Sequence, residues 1–240
     1  MTSVQDQGRT DYRHFGVPIS GACDAPAAAR ANALLENEPG DAVLECTMHG
    51  PVLRFEEPAY IAMSGAHMEA ELNGNLLEME QVYAIPEGSL LRCGHITEGL
   101  RAYIGIKGGV QSPVRLGSRS YFFPVTKHWK IREGDVLEYL PCEAFEPKLL
   151  KLSPTKRYRE TDLGVSPGPE YEWLLQTHRE ALFGQGFTLS KDHDRMACQL
   201  VETLQPHDWR MITSATLPGT VQLTPSGQII VLMRDGQTTG

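Results

Sequence analysis

Two clusters of polar residues and glycines contain side chains that could bind an anion. Residues 5–9 read Gln-Asp-Gln-Gly-Arg, and residues 117–120 read Gly-Ser-Arg-Ser. The guanidinium of Arg9 can hold a carboxylate or phosphate through two parallel hydrogen bonds, and glycine lets a ligand approach the backbone closely. Arg119 lies among hydroxyl groups and accessible backbone N–H groups, a composition typical of an anion-binding nest. Each cluster taken alone also fits an ordinary surface loop or turn.

The last third of the chain contains polar residues that could hold a small amide. One cluster spans residues 192–196, and others span residues 217–222 and 235–240. Four of these side chains lie at predicted strand ends and would form a hydrogen-bonding wall for an amide or ureido group. They are Gln222, Asp235, Gln237 and Thr238. Earlier in the chain, Ser64 follows a predicted buried strand and could belong to a turn that aims backbone donors at a ligand. For each residue taken singly, a structural role is the alternative.

Several common catalytic motifs are absent from the sequence. It contains no Gly-x-x-x-x-Gly-Lys-Ser/Thr phosphate loop, no Gly-x-Ser-x-Gly nucleophile elbow and no His-Glu-x-x-His pair. Residues 191–194, Lys-Asp-His-Asp, contain possible metal ligands, but such a polar run more often forms a solvated turn. We therefore predict no metal site.

Charge and cysteine content exclude further classes of protein. With 30 acidic against 22 basic residues the formal net charge is -8, which repels a phosphate backbone, so we expect no nucleic-acid partner. The five cysteines include no Cys-x-x-Cys pair and indicate reduced thiols in a cytoplasmic protein. No run approaches the ~18 apolar residues of a membrane span, and the first residues lack a signal-peptide pattern. Because residues 231–233 read as a buried strand, we expect the natural fold to continue past residue 240.

The elements that must position these clusters are mainly β-strands. Short apolar runs recur at intervals of roughly 8–12 residues with turn signals between them, which indicates a sandwich or barrel. Asn73-Gly74-Asn75 predicts a tight hairpin, since Asn and Gly accept a positive φ, and Gly134 marks another turn. The predicted strands include residues 52–55, 60–63, 69–72, 81–85, 100–106 and 136–140.

Two segments predict substantial helices, over residues 24–37 and 169–183. The first has an acidic N-cap, a proline in its first turn and a run of alanines, while the second has apolar residues at helical spacing before two glycines. The Pro-, Lys- and Glu-rich segment 141–154 interrupts the apolar pattern. We therefore predict a β-rich first domain over residues 1–147 and a second β domain with one helix over residues 148–240.

The clusters, in this order, resemble a family of biotin-dependent carboxyltransferase subunits. Its members are also called allophanate hydrolase subunit 2, KipA or the C subunit of 5-oxoprolinase. The resemblance covers nearly the whole chain and implies cyclophilin-like β-barrel domains. One departure is Ala197-Cys198, where the family generally has Gly-Tyr. The matching motifs are residues 4–9, 16–24, 31–32, 44–45, 50–51, 64–66, 108–110, 116–120, 194–196, 217–222 and 235–240.

The resemblance implies three alternative functions. The first is a subunit of an ATP-dependent 5-oxoprolinase that opens the lactam of 5-oxoproline to give glutamate. The second is a carboxyltransferase that passes a carboxyl group from carboxybiotin to urea or a related amide, and the third is a KipA-like protein that antagonises a kinase inhibitor. Because the chain has no biotin attachment site and no carboxylase ATP-binding region, we favour the first. ATP would then be bound by, or shared with, a complex containing a second cyclophilin-like (KipI-like) subunit and a LamB/YcsF-like subunit.

The resemblance also suggests roles for individual residues. Arg119, with Asp6 or Asp194, would be catalytic, and a further set would bind the substrate: Gln5, Arg9, Ser64, Arg195, Gln222, Asp235, Gln237 and Thr238. We expect a single groove lined by residues from both ends of the chain, namely Gln5, Arg9, Arg119, Asp194 and Gln222. The alternative is that several of these residues contact the partner protein, together with apolar surface around residues 121–123.

Overall fold

The computed structural model describes residues 1–128, 130–153, 161–209 and 212–240. Its backbone contacts divide the chain into two units: residues 1–9 with 20–160, and residues 10–19 with 161–240. The domain boundary between residues 147 and 148 stays a prediction, and the far end of the interrupting segment, Pro154, lies outside the described residues. Among the described residues no helix has the length and apolar character needed to cross a bilayer.

The first unit is built on one antiparallel sheet. Strand β7 lies at its centre between β2 and β4, in the order β1-β2-β7-β4-β5, while β3 also pairs with β7 and β6 with β4. The strands are β1 (Thr2–Gln5), β2 (Val43–Thr47), β3 (Val52–Arg54), β4 (Ala59–Leu72), β5 (Asn75–Leu76), β6 (Val82–Ile85) and β7 (Leu90–Ile106).

The two faces of this sheet are covered differently. One face carries the main apolar core, which includes Leu44, Met63 and Ile104. The other is covered by α1 (Ala25–Leu34), a shorter helix than the predicted span. Asp24 caps it by accepting a hydrogen bond from the backbone N–H of Ala27, at 3.0 Å.

Two strand predictions are wrong in detail. The runs at 60–63 and 69–72 are halves of one strand, β4, and the expected turn at residues 64–66 lies inside it, where Gly65 adopts a φ of 97° beside a register shift. Residues 136–140 form no strand and make a single bridge, from Tyr139 to Val110. The segment keeps the alternating burial of a strand, since Leu137 and Tyr139 pack against the core while Val136 is 89% exposed, but it lacks a ladder of paired residues.

The second unit contains a smaller antiparallel sheet in the order β10-β11-β9-β8. Its strands are β8 (Leu189–His193), β9 (Ala197–Thr203), β10 (Val221–Leu223) and β11 (Gln228–Leu232), and its helix is α2 (Gln176–Gly184). The predicted helix 169–183 begins later than expected, because Leu175 is extended with a ψ of 156° and only a single 3-10 turn (Tyr171–Trp173) precedes it. The mainly β prediction is confirmed, although among the described residues the strand order of neither sheet closes into a barrel.

Candidate functional site

The first two polar clusters meet at the carboxylate of Asp6. Its Oδ1 accepts hydrogen bonds from the backbone N–H of Gly8 (2.7 Å) and from the hydroxyls of Ser118 and Ser120 (both 2.6 Å). Its Oδ2 accepts one from the backbone N–H of Arg119, at 2.6 Å. A carboxylate offers about four acceptor positions. Asp6 therefore joins two loops that are far apart in sequence, through three donors on Oδ1 and one on Oδ2.

Two neighbours of Asp6 are also bound within the protein. Arg9 is only 2% exposed, and its Nη2 donates to the carbonyl of Ser120 at 2.6 Å. Gln5 is fully buried, and its side-chain amide donates to Ser3 Oγ at 3.0 Å and to the carbonyl of Tyr121 at 3.3 Å. Both side chains hold the loops in place, and neither faces solvent as a clamp for a ligand would.

Beside this junction lies an open cleft of about 450 Å³, on whose wall Arg119 is half-buried. Its guanidinium donates to Gln111 Oε1 at 3.0 Å and to the carbonyl of Ser112, both neutral acceptors. Within the described part of the chain no carboxylate comes within 4.0 Å of this guanidinium. The cleft residues are Gln111, Ser112, Pro113, Arg119, Tyr121, Val136, Leu137 and Glu138.

The cleft wall carries one charge of each sign and several hydrogen-bonding groups. Arg119 is a half-buried cation that makes no ion pair among the described residues, and its guanidinium has N–H donors beyond the two in use. Glu138 adds one carboxylate to the same wall. Burial, with a smaller contribution from the charge of Asp135, raises the pKa of Tyr121, so its hydroxyl stays protonated at neutral pH. The wall thus combines a cation, a carboxylate and a neutral hydroxyl with the apolar side chain of Leu137.

Ser64 belongs to a different network, buried beneath α1. Its hydroxyl donates to Glu80 Oε1 at 2.8 Å, and the other oxygen of Glu80 accepts from Arg30 Nε at 3.2 Å. Ser64 is 0% and Glu80 1% exposed, so the serine has no access to a ligand in solution.

A second buried acid, Glu45, is not among the predicted site residues. Its Oε2 accepts from the backbone N–H of Cys23 and from the Tyr103 hydroxyl, both at 2.8 Å, and Arg101 Nε lies 3.7 Å from its Oε1. Burial raises the pKa of Tyr103, and the negative charge of Glu45 adds to the effect. A charged residue inside the otherwise apolar run of β2 is the sequence signal that could have found it.

In the second unit, two side chains that were predicted to bind the substrate form an ion pair with each other. Arg195 donates from Nε to Asp235 Oδ2 at 2.8 Å and from Nη2 to Oδ1 at 3.1 Å, and both side chains are buried. Asp194 forms a turn instead, because its Oδ1 accepts from the backbone N–H groups of Met196 (2.7 Å) and Ala197 (3.1 Å). Ala197 and Cys198, which replace the Gly-Tyr general in the family, are the first two residues of β9.

The remaining predicted residues of this unit lie near its chain end. Gln237 Nε2 donates to Gln222 Oε1 at 3.4 Å, and the carbonyl of Thr238 accepts from the backbone N–H of Thr216 at 3.0 Å. The structure therefore brings together Asp6, Arg9 and Arg119 in one unit, and pairs Arg195 with Asp235 and Gln222 with Gln237 in the other. A single groove formed by both sets stays a prediction.

Fold and motifs together define a carboxyltransferase-type domain. The family model described as "Carboxyltransferase domain, subdomain A and B" matches residues 15–240, and the chain belongs to this family. The family prediction is confirmed. The chain is 30% identical over 246 residues to the C subunit of 5-oxoprolinase from Escherichia coli K12, a match that covers all of this chain and 78% of that protein. It is 34% identical over 222 residues to urea amidolyase of Lachancea kluyveri, covering 83% of this chain and 12% of that enzyme.

Solved structures give the same fold. The crystal structure of TTHA0988 matches with a TM-score of 0.84 and 30% identity over 100% of this chain. Urea carboxylase of Kluyveromyces lactis matches with a TM-score of 0.79 at 23% identity over 99% of this chain, a similarity that concerns the fold alone. The chain spans 48% of the length of TTHA0988 and 24% of the urea carboxylase.

Proposed function

We propose that the chain is a subunit of an ATP-dependent 5-oxoprolinase, and that its cleft binds the carboxylate of 5-oxoproline through Arg119. Two findings support this. The relative named as the C subunit of 5-oxoprolinase aligns with the whole chain. The observation that carries the site is the half-buried Arg119, whose guanidinium hydrogen-bonds only neutral acceptors among the described residues.

The other cleft groups complement the rest of this substrate. The Tyr121 hydroxyl is a neutral donor for the lactam carbonyl, and Glu138 can accept a hydrogen bond from the lactam N–H. The methylene groups of the ring would pack against Leu137 and Val136. Donors aimed at the carbonyl would stabilise the negative charge that develops there when the C–N bond breaks.

The cleft does not fit ATP. Its described residues supply one cation, Arg119, together with the carboxylate of Glu138, whereas a triphosphate requires several cationic or N–H donors. We therefore assign ATP to the complex, in which a second cyclophilin-like subunit and a LamB/YcsF-like subunit would be the partners. Phe123, 63% exposed beside the cleft residue Tyr121, is a candidate contact with such a partner.

A second candidate is transfer of a carboxyl group from carboxybiotin to a urea-like amide. The higher identity to urea amidolyase, 34% against 30%, favours it, although the match covers 83% of the chain rather than all of it. In that case the same cleft would bind a neutral amide, and the substrate would have no carboxylate to pair with Arg119. A KipA-like regulatory protein would show no turnover at all.

The test is reconstitution with the two partner subunits and measurement of ADP released in response to 5-oxoproline. Arg119→Ala should lower kcat/KM by about 10- to 150-fold, because a hydrogen bond to a charged group contributes about 1.5–3 kcal/mol. Arg115→Ala is the matched control, since Arg115 is an exposed arginine in the same loop.

Four outcomes decide the proposal. Loss of turnover in Arg119→Ala with an unchanged circular dichroism spectrum supports it. Full turnover in that variant overturns the assignment of the cleft. Urea-dependent use of carboxybiotin, or no turnover with any partner, overturns the function.

A further inference from the structure

Two histidines outside the cleft lie directly opposite each other on neighbouring backbone segments. His49 follows β2, His95 lies in β7, and an isolated antiparallel bridge joins them. The backbone N–H of Gly50 donates to the carbonyl of Gly94 at 2.9 Å, and that of Ile96 to Met48 at 3.0 Å. Because these bonds flank the two histidines, they form the kind of opposed pair in which Cα atoms are about 4.5 Å apart and side chains lie closest.

The two imidazoles are exposed and have their nitrogens available. Their ring centroids are 4.8 Å apart with an interplanar angle of 86°. Within the described residues neither ring makes a side-chain hydrogen bond or an ion pair, the ring contact being their one recorded interaction. Neutral imidazole is the commonest protein ligand for transition metals, and each ring here can turn a nitrogen towards its neighbour.

The spacing fits coordination of one ion by both rings. With metal–nitrogen bonds of about 2.0–2.1 Å, a ring centroid lies roughly 3.2 Å from the ion. Two rings at ligand angles between about 90° and 109° then have centroids about 4.5–5.2 Å apart. The observed 4.8 Å falls within this interval.

We propose that His49 and His95 form a binding site for a divalent transition-metal ion, with water in the remaining coordination positions. Among the described residues no group of three or more His, Cys, Asp or Glu side chains is placed to hold a metal, so this site has two protein ligands. Two nitrogen ligands favour Cu²⁺ over Ni²⁺ and Zn²⁺, and discriminate against Mg²⁺ and Ca²⁺, which prefer oxygen. The net charge of -8 favours a cation over an anion.

The experiment uses the full chain without an affinity tag, freed of metal by a chelator and titrated with CuCl₂, NiCl₂, ZnCl₂ and MgCl₂ in a calorimeter. One ion should bind per chain, most tightly for Cu²⁺, with no heat from Mg²⁺. His49→Ala and His95→Ala should each weaken binding about tenfold or more, since each removes one of two ligands. His14→Ala, at an exposed histidine without a histidine partner among the described residues, should bind within about twofold of the unchanged chain.

A second measurement identifies the ligands directly. Electron paramagnetic resonance of the Cu²⁺ form should show coupling to two nitrogens, reduced to one in either variant. Unchanged circular dichroism in both variants establishes that the fold is retained. Equal Cu²⁺ affinity in His49→Ala, or a stoichiometric signal that survives both substitutions, overturns the site. The proposal does not depend on the cleft, so it stands or fails separately from the 5-oxoprolinase assignment.

Discussion

Asp6 is a carboxylate whose hydrogen bonds hold two loops together. Four donors from residues 8 and 118–120 converge on its two oxygens. Such an arrangement supports a positioning role for Asp6, whereas its catalytic role stays a prediction. In the positioning role Asp6 acts on the cleft through the backbone of Arg119.

Replacing Asp6 should therefore cost stability. Asp6→Ala leaves the backbone N–H groups of Gly8 and Arg119 without their acceptor, and each part-buried donor left unsatisfied costs about 1–3 kcal/mol. We expect the free energy of unfolding in urea to fall by about 2–4 kcal/mol. Asp11→Ala, at an exposed aspartate, should change it by less than about 0.5 kcal/mol. Equal stability of both variants would contradict the positioning role.

The five thiols should differ in reactivity. Burial raises the pKa of Cys46 to about 12 and also raises that of Cys93, while Cys23, Cys142 and Cys198 are partly exposed. A thiol reagent at pH 8 should therefore modify those three in the native protein and Cys46 and Cys93 only in denaturant, because the thiolate is the nucleophile. Rapid modification of all five would show that the core opens.

Because burial raises the pKa of Cys46, the free energy of unfolding should decrease as the solution becomes alkaline. Between the unfolded thiol's value, about 8.5, and the folded value of Cys46, about 12, the unfolded chain has lost this proton while the folded chain retains it. Stability from this group is thus complete below pH ~8.5 and is lost as the pH rises through the folded pKa.

At the scale of elements, Gly65 lets β4 continue beneath α1. Its φ is 97°, and an added Cβ would lie 2.8 Å from the carbonyl oxygen of Arg101 and 3.2 Å from the Ala27 side chain. Gly74, in the β4–β5 hairpin, has a φ of 84° but open space around it. The two glycines share a backbone conformation and differ in their surroundings.

Alanine at each position separates backbone strain from steric overlap. Gly74→Ala should cost about 1–2 kcal/mol of unfolding free energy, the usual penalty for a side chain in the left-handed region. Gly65→Ala should cost more than about 3 kcal/mol, because backbone and helix must also shift. Urea denaturation of the two variants measures the difference. Equal losses of unfolding free energy would show that α1 can move away from the added methyl group at no energetic cost.

Sequence periodicity predicts β3, β4, β6, part of β7 and both helices, but not the burial of single polar groups. The hairpin at residues 73–75 is predictable because its turn chemistry is local, and Asn73 and Gly74 do have positive φ. Ser64, a predicted ligand contact, lies instead under α1 with Glu80. The burial of Ser64 depends on which face of the sheet α1 covers. A local sequence pattern contains no information about that choice.

At the scale of the whole molecule, both units are assembled from separate stretches of chain. The alternating apolar pattern carries no information on this point, and composition alone indicates a boundary near residue 147. Collinear motifs are sufficient to predict the family, and the predicted boundary already places the site residues in the same two sets as the structure does. The assignment of residues 10–19 to the second unit requires coordinates.

The interleaving of the two units has a consequence for how the protein is made on the ribosome. Residues 10–19 belong with residues 161–240, yet they are synthesised before most of the first unit. At a translation rate of roughly 5–20 residues per second, residues 10–19 are synthesised about 7–30 s before residue 161, the first residue of the rest of their unit. A nascent chain arrested near residue 160 should therefore hold a nearly complete first sheet, together with an early segment whose partners in the second unit have not yet been made.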